Sequence, residues 1–89
     1  MIRTKIKVIN KLGLHARAAT KLASLAGRYS CSIHTGEKQP LVDAKSIMSL
    51  MLLAANQGTD LTFEFDGPEQ EKAQTAVKEL FEDYFGEGE

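Results

Sequence analysis

The sequence has few cysteines, few prolines and no long apolar run, and these shortages exclude several classes of protein. The single cysteine, Cys31, cannot form an internal disulfide, and one cysteine with two histidines gives no zinc-binding spacing. The longest apolar run, 50–55, is far shorter than the roughly 20 residues needed to cross a bilayer. A net charge of −1 argues against a broad basic surface for nucleic acid. We therefore expect one cytoplasmic domain over residues 1–89, without membrane insertion or a nucleic-acid partner.

Alternating and helical patterns follow one another along the chain and predict a mixed fold. Ile2, Ile6 and Val8 alternate with charged residues, which is typical of a half-buried strand and not of a secretion signal. Elsewhere, runs of alternation indicate strands, and apolar residues spaced three and four apart indicate helices. The remaining predicted elements are strands near 29–35, 41–42 and 61–65 and helices over about 16–26, 46–56 and 67–86.

The last predicted helix begins with a proline in its first turn and carries the longest apolar stripe. That stripe consists of Ala73, Ala76, Val77, Leu80 and Tyr84. We expect the acidic end, Glu87 to Glu89, to be frayed. The order β-α-β-β-α-β-α predicts an α+β, two-layer open-faced sandwich, in which a four-stranded antiparallel sheet is covered on one face by three helices.

His15 stands at the start of the first predicted helix, where a capping Ser, Thr, Asp or Asn is usual. The first backbone N–H groups are then expected to point into open space and to form an anion site. Arg17 places a positive charge in the first turn, which is favourable only if an anion accepts its hydrogen bonds. Positive surroundings also favour the neutral, nucleophilic imidazole. Histidines beside a helix start are more often structural, so spacing alone leaves both interpretations open.

The segment from Asn10 to Ala19 closely resembles the active-site segment of HPr, the histidine-containing phosphocarrier of the bacterial phosphoenolpyruvate-dependent phosphotransferase system. A second segment, Asp43 to Met48, resembles the regulatory-serine segment of that family, at the family's separation from the histidine. The segment 55–59 and the chain length are also similar. The resemblance therefore covers nearly the whole chain and makes phosphoryl transfer the preferred interpretation of His15.

The resemblance implies a specific set of roles around His15. This histidine is expected to accept a phosphoryl group from enzyme I on Nδ1 and to donate it to an enzyme IIA-type protein. Arg17 is expected to stabilise the phosphoryl group, with the backbone N–H groups of Ala16 and Arg17 capping it. The protein is then a monomeric cosubstrate of phosphotransferases and not an enzyme, and it needs no metal or other cofactor.

The stretch 47–53 is apolar on more than one face, which is more than a short helix buries against one small sheet. We expect Ile47, Met48 and Met51 to be part of a docking surface, because methionine adapts its shape to several partners. The alternative is that all these residues belong to the core. Ser46 is expected to cap this helix. The resemblance implies that a serine kinase/phosphorylase also modifies it, and the added charge would weaken enzyme I binding.

Two positions depart from the pattern of sugar-type HPr proteins, which commonly have proline where this chain has Ala18 and often glycine where it has Ser49. These departures are more similar to the proteobacterial branch with a regulatory, nitrogen-related relay, so the pathway stays open. A regulatory binding module acting through Ser46 and the helix 47–53 is the main alternative, although modules of that type lack His15. A small-molecule-sensing domain and an independent enzyme fit the residues less well.

Overall fold

Four strands form the antiparallel sheet of the computed structural model, which describes residues 1–89. The strands are β1 (Ile2–Lys7), β2 (Ser32–Gly36), β3 (Val42–Asp43) and β4 (Asp60–Asp66). They lie in the order β1-β4-β2-β3, so β4 pairs with both β1 and β2. Leu61, Phe63 and Phe65 of β4 are fully buried and alternate with more exposed residues, which is the pattern of a strand packed on one face.

Three α-helices and a short 3₁₀ turn complete the chain. They are α1 (Ala16–Ala26), α2 (Ile47–Leu52), α3 (Gln70–Glu82) and the 3₁₀ turn Tyr84–Gly86. The side of the sheet that faces away from the hydrophobic core carries exposed charged residues such as Arg3, Lys5 and Lys7. The predicted open-faced α+β sandwich is confirmed, with four strands and three helices in the predicted order. None of the helices combines the length and the apolar character that a bilayer span requires.

Helix α1 starts and ends where the sequence predicts. Its predicted stripe of Ala19, Leu22, Ala23 and Ala26 is buried in the hydrophobic core. The helix ends at Gly27, whose N–H donates to the carbonyl of Ala23 at 3.0 Å. Burial of this stripe fixes the start of α1 against the core and thereby places the residue that precedes it.

Helix α2 is shorter than predicted, because it ends at Leu52 and not near residue 56. Ala54 adopts a left-handed conformation with φ +52°, which breaks the helical path. The carbonyl of Ala55 accepts a hydrogen bond from Leu14 N–H at 2.9 Å. The backbone after α2 therefore binds the loop that precedes α1. The apolar residues that follow Leu52 lie outside the helix.

Strand β2 begins at Ser32, three residues later than predicted. Tyr29 N–H still donates to the carbonyl of Ala26 at the end of α1. Ser30 N–H donates to the carboxylate of Glu69 at 2.8 Å. Because these two amides have other acceptors, they do not join the sheet. Strand β3 likewise begins one residue later than predicted, at Val42.

Helix α3 begins at Gln70, so Pro68 precedes the helix and does not occupy its first turn. Glu69 has a left-handed backbone with φ +65°, and its side chain is bound to Ser30 N–H. These two features hold Glu69 outside the helix. Gln70 instead accepts a hydrogen bond from Gly67 N–H through its side-chain oxygen at 3.2 Å.

The buried face of α3 differs from the predicted stripe at its C-terminal end. Tyr84 is exposed, because α3 ends at Glu82 and the chain turns with positive φ at Tyr84 and Phe85. Phe85 enters the core in its place and packs on Phe81, with ring centroids 4.8 Å apart. Ala76 and Leu80 are only partly buried. The fully buried residues of α3 are Ala73, Val77 and Phe81.

Candidate functional site

The loop before α1 is held in place by contacts that involve its backbone. Gly13 has φ +69°, and a Cβ atom at this position would lie 2.5 Å from the carbonyl oxygen of Ala55. The next residue, Leu14, donates its N–H to that same oxygen. The fully buried Asn10 donates from Nδ2 to the carbonyl of Gly13 at 2.8 Å. These contacts fix the chain immediately before His15.

His15 caps helix α1 with its own ring. Its backbone is extended (φ −77°, ψ 179°), and its Nδ1 accepts a hydrogen bond from Arg17 N–H at 3.3 Å. The prediction that the first N–H groups point into open space is therefore wrong for Arg17, whose amide is directed at the imidazole. The N–H of Ala16 makes no hydrogen bond. His15 is partly exposed, with 27% of its side chain accessible.

The Arg17 side chain is exposed and makes no hydrogen bond or ion pair. It borders an open recess of about 430 Å³ beside the start of α1. A free guanidinium in this position is able to give paired hydrogen bonds to an anion. The other residues that line the recess are Lys11, Leu12, Gly86, Glu87 and Glu89.

Glu87 is a site residue that sequence reasoning missed. Its Oε2 contacts Nε2 of His15, and its Oε1 accepts a hydrogen bond from Nδ2 of Asn10 at 3.0 Å. Only 8% of its side chain is exposed. The expectation that the acidic end is frayed is therefore wrong, and the surroundings of His15 are not only positive. The sequence offers one weak indication of this contact, the apolar Phe85 two positions before Glu87.

The surroundings keep Glu87 ionised. Burial by itself raises the pKa of this carboxyl group. Hydrogen bonds from His15 and Asn10, together with the charges of His15 and Arg17, outweigh burial and hold the pKa of Glu87 below its ordinary value of 4.5. At neutral pH the group is therefore a carboxylate that only accepts hydrogen bonds.

An apolar surface adjoins His15 on the side of α2. A shallow cleft of about 250 Å³ brings His15 and Met51 together. Ile47, Met48 and Met51 are exposed to 40%, 70% and 43%, and only Leu50 of α2 is buried. The alternative in which all residues of this stretch belong to the core is therefore wrong. We call Ile47, Met48, Met51 and Leu52 the α2 patch.

Ser46 caps helix α2, as predicted. Its Oγ accepts a hydrogen bond from Ser49 N–H at 3.2 Å. The six residues of α2 span about 9 Å. Ser46 therefore stands at one end of the α2 patch, while Met51 reaches the cleft beside His15 at the other. No group of three or more His, Cys, Asp or Glu side chains is arranged to hold a metal ion.

Known proteins share both the sequence and the fold. Residues 2–83 match the family described as PTS HPr component phosphorylation site. The chain is 48% identical to phosphocarrier protein HPr of Pseudomonas aeruginosa over 96% of each chain, and 46% identical to that of Cupriavidus necator over both full lengths. The crystal structure of HPr-C-His from Thermoanaerobacter tengcongensis has a TM-score of 0.92 and 37% identity, with 98% of each chain covered. The chain thus belongs to the HPr family, the phosphocarrier proteins of the phosphotransferase system.

Proposed function

We propose that His15 is the residue that carries the phosphoryl group, accepting it from enzyme I on Nδ1 and donating it to an enzyme IIA-type protein. The observation that carries this proposal is the position of Nδ1, which faces the first amides of α1 and accepts a hydrogen bond from Arg17 N–H. A nitrogen that accepts a hydrogen bond has its lone pair available for attack on phosphorus. The helix N-terminus then stabilises the negative charge that arrives.

Arg17 and the amide of Ala16 are proposed to hold the transferred group. The Arg17 guanidinium has no partner of its own, and the Ala16 N–H makes no hydrogen bond. Phosphoryl oxygens on Nδ1 would accept hydrogen bonds from these donors and from Arg17 N–H. The site contains donors for an anion but no second nucleophile, so the protein acts as a cosubstrate of phosphotransferases and not as an enzyme.

The α2 patch is proposed to dock enzyme I and the enzyme IIA-type acceptor. Its exposed side chains continue from the cleft that contains His15, so a partner that covers the patch also reaches the imidazole. Charged residues are absent from α2, which suits the apolar centre of an interface. The protein is proposed to work as a single-domain monomer in the reducing cytoplasm, where Cys31 stays a buried free thiol.

Ser46 is proposed as a second, regulatory phosphorylation site for a serine kinase/phosphorylase. A phosphate on Oγ would stand at the N-terminus of α2, where backbone amides donate hydrogen bonds and stabilise negative charge. It would also place a charge of about −2 beside the α2 patch. Docking of an enzyme I that carries acidic groups opposite this patch would then weaken, without loss of the fold.

The test is incubation with enzyme I, Mg²⁺ and phosphoenolpyruvate, followed by intact mass measurement before and after brief acid treatment. We expect a gain of one phosphoryl group that is lost in acid and is absent from His15→Ala. His34→Ala is the matched control, because it removes the other histidine and is expected to gain the group normally. No gain with an enzyme I shown to be active would instead favour the regulatory module acting through Ser46.

A further inference from the structure

The C-terminal tail (84–89) is anchored on both sides of the residue that contacts His15. Before it, the buried ring of Phe85 fills the core, and the Phe85 carbonyl accepts a hydrogen bond from Lys21 Nζ at 2.6 Å. After it, the carbonyl of Glu89 accepts from Lys11 N–H at 3.1 Å. The tail therefore crosses the start of α1 along a defined path and does not reach the site by chance contact of a free end.

The two carboxylate oxygens of Glu87 have separate partners. Oε1 accepts a hydrogen bond from Asn10 Nδ2, whose side chain is fully buried and also holds the Gly13 carbonyl. Oε2 contacts Nε2 of His15. An ionised carboxylate offers no proton, so the proton in this contact belongs to Nε2. Asn10 thus fixes the orientation of a group that receives the Nε2–H of the imidazole.

The contact of Nδ1 also places the ring proton of His15 on Nε2, independently of the Glu87 contact. Nδ1 of His15 accepts a hydrogen bond from the backbone N–H of Arg17. A nitrogen that accepts from an amide carries a lone pair and no proton. The two contacts, one on each side of the ring, both select the neutral tautomer with hydrogen on Nε2.

We propose that Glu87 is a positioning residue that holds His15 in the Nε2–H tautomer and thereby directs phosphoryl transfer to Nδ1. This inference rests on the proposed role of His15 as phosphoryl acceptor. Glu87 acts through the imidazole and does not touch the phosphoryl group, because Nδ1 and Nε2 point to different sides of the ring. It also occupies the approach to Nε2, the only other nitrogen that could be phosphorylated.

Phosphoryl transfer to the Nε2–H tautomer forms one bond to phosphorus and breaks another. The Nδ1 lone pair forms the new bond to phosphorus, while the bond from phosphorus to the donor atom of enzyme I breaks and leaves its electron pair on that atom. The proton stays on Nε2, so the ring becomes positively charged as the new bond forms. The Glu87 carboxylate compensates this developing charge, and Arg17 with the α1 amides faces the phosphoryl oxygens on the opposite side.

Glu87→Gln is a sharp variant for the test, because the amide is nearly isosteric with the carboxylate. Glu87 accepts from two donors at once, Nε2–H of His15 and Nδ2 of Asn10. A glutamine has one oxygen and one NH₂ group, so it satisfies only one of them as an acceptor. If its NH₂ group faces Nε2, the proton of His15 must move to Nδ1. The matched control is Glu82→Gln, which removes the same charge from an exposed carboxylate of α3 that does not line the recess beside Arg17.

The first readout is independent of enzyme I. In protein labelled with ¹⁵N-histidine, at a pH where the imidazole is neutral, the two nitrogen shifts of His15 report which nitrogen carries the proton. We expect the Nε2–H form to predominate in the parent protein and in Glu82→Gln, and to lose that predominance in Glu87→Gln. A Nδ1–H form in the parent protein, or the same tautomer in all three proteins, would overturn the proposal.

The second readout is the rate of phosphorylation by enzyme I. We expect kcat to fall about ten- to a hundredfold in Glu87→Gln with little change in KM, because the tautomer affects the reacting nitrogen and not docking. Glu82→Gln is expected to match the parent. Faster transfer in Glu87→Gln would show that the tail obstructs the site and would refute the positioning role. If His15 accepted no phosphate in any protein, the function would fail separately, and the tautomer readout would still decide the role of Glu87.

Discussion

The ring of His15 is held between two groups of opposite character. Nδ1 faces the amide end of α1, and Nε2 faces the carboxylate of Glu87. A plain helix cap needs only the first of these contacts, since the cap accepts a backbone hydrogen bond and nothing more. At the scale of single residues, the second contact is not needed by a structural cap and fits the proposed role of His15 as a nucleophile.

Arg17 is expected to speed phosphoryl transfer without being essential for it. In Arg17→Ala the phosphoryl group loses its guanidinium partner, and we expect transfer from enzyme I to be about tenfold slower, corresponding to roughly 1.4 kcal/mol. Exposure of Arg17 to water keeps the effect at this modest size. Arg17→Lys keeps the charge but not the paired geometry, so its rate is expected to lie between the two. Single-turnover kinetics measure all three proteins, and equal rates for Arg17→Ala and the parent would contradict the role.

Gly13 is expected to be required for the loop before His15. In Gly13→Ala the new Cβ meets the Ala55 carbonyl oxygen at 2.5 Å in a backbone with φ +69°, and we expect about 1–3 kcal/mol loss of unfolding free energy. Gly58→Ala is the matched control, since its φ of +95° gives similar strain but no atom lies within 4 Å. Urea denaturation of both variants separates the clash from the strain. Equal losses would show that close packing against Ala55 is unimportant.

At the scale of elements, α1 and α2 make different contributions to the site. Helix α1 has one buried stripe and presents its N-terminus to His15, whereas α2 buries only Leu50 and leaves an apolar face to solvent. A six-residue helix contributes little stability by its own propensity. The α2 patch is therefore retained at a cost in exposed apolar surface, which is understandable if partners cover it.

Substitutions at Ser46 are expected to separate capping from charge. Ser46→Ala loses the hydrogen bond from Ser49 N–H and about 1 kcal/mol of unfolding free energy, but keeps enzyme I binding. Ser46→Asp keeps the cap, because aspartate is an equally good cap residue, but adds a negative charge and weakens enzyme I binding. Denaturation and titration calorimetry measure the two effects. Equal weakening of binding by both variants would assign the effect to the helix and not to the charge.

A charge within the α2 patch is expected to affect binding and not folding. Met48 is 70% exposed, so Met48→Asp should change unfolding free energy by no more than about 0.5 kcal/mol. Its Kd for enzyme I should rise about tenfold, because a charge would be buried in the apolar centre of the interface. Thr75→Asp places the same charge on the exposed side of α3 as a control. Equal affinities for Met48→Asp and Thr75→Asp would remove α2 from the interface.

At the scale of the whole molecule, the C-terminal segment packs against the loop before α1 and completes the site. The contact between His15 and Glu87 joins residues 72 positions apart, and the aromatic cluster of Phe63, Phe81 and Phe85 supports the turn that makes it. Packing of Phe85 therefore links the stability of the core to the geometry of the site.

The contact of Glu87 is expected to make stability depend on pH in the acid range. Because the pKa of Glu87 is lowered in the folded protein, its stabilisation is present above its ordinary value of 4.5 and is lost as pH falls through the lower folded pKa. The carboxylate faces His15, Asn10 and Arg17, and Lys11 lies nearby in the same recess. The parent is expected to exceed Glu87→Gln in unfolding free energy at pH 6, with a difference that shrinks below pH 4.5. Urea denaturation from pH 6 to pH 3 measures it, and a constant difference would contradict the linkage.

The spacing of apolar residues predicted the elements whose ends are set by residues close to them in the sequence. Helix α1 was predictable to the residue, because a single buried stripe ends at Gly27. The end of α2 was not, because the apolar run continues while the backbone of Ala55 turns to bind Leu14. His15 and Arg17 were candidates from their place at a helix start, but only the resemblance of the segment 10–19 to HPr made phosphoryl transfer the preferred interpretation. Glu87 was not a candidate, because its contact depends on a turn of consecutive positive φ angles and on packing between distant segments.

A single-turnover relay is the sharpest test of whether His15 carries a phosphoryl group between two proteins. Purified phosphorylated protein, free of enzyme I and phosphoenolpyruvate, is mixed with an enzyme IIA-type acceptor, and intact masses of both proteins are followed. We expect the protein to lose one phosphoryl group as the acceptor gains one, and His15→Ala, which carries none, to transfer none. A phosphoryl group that stays on the protein, or that is carried by His15→Ala, would contradict it.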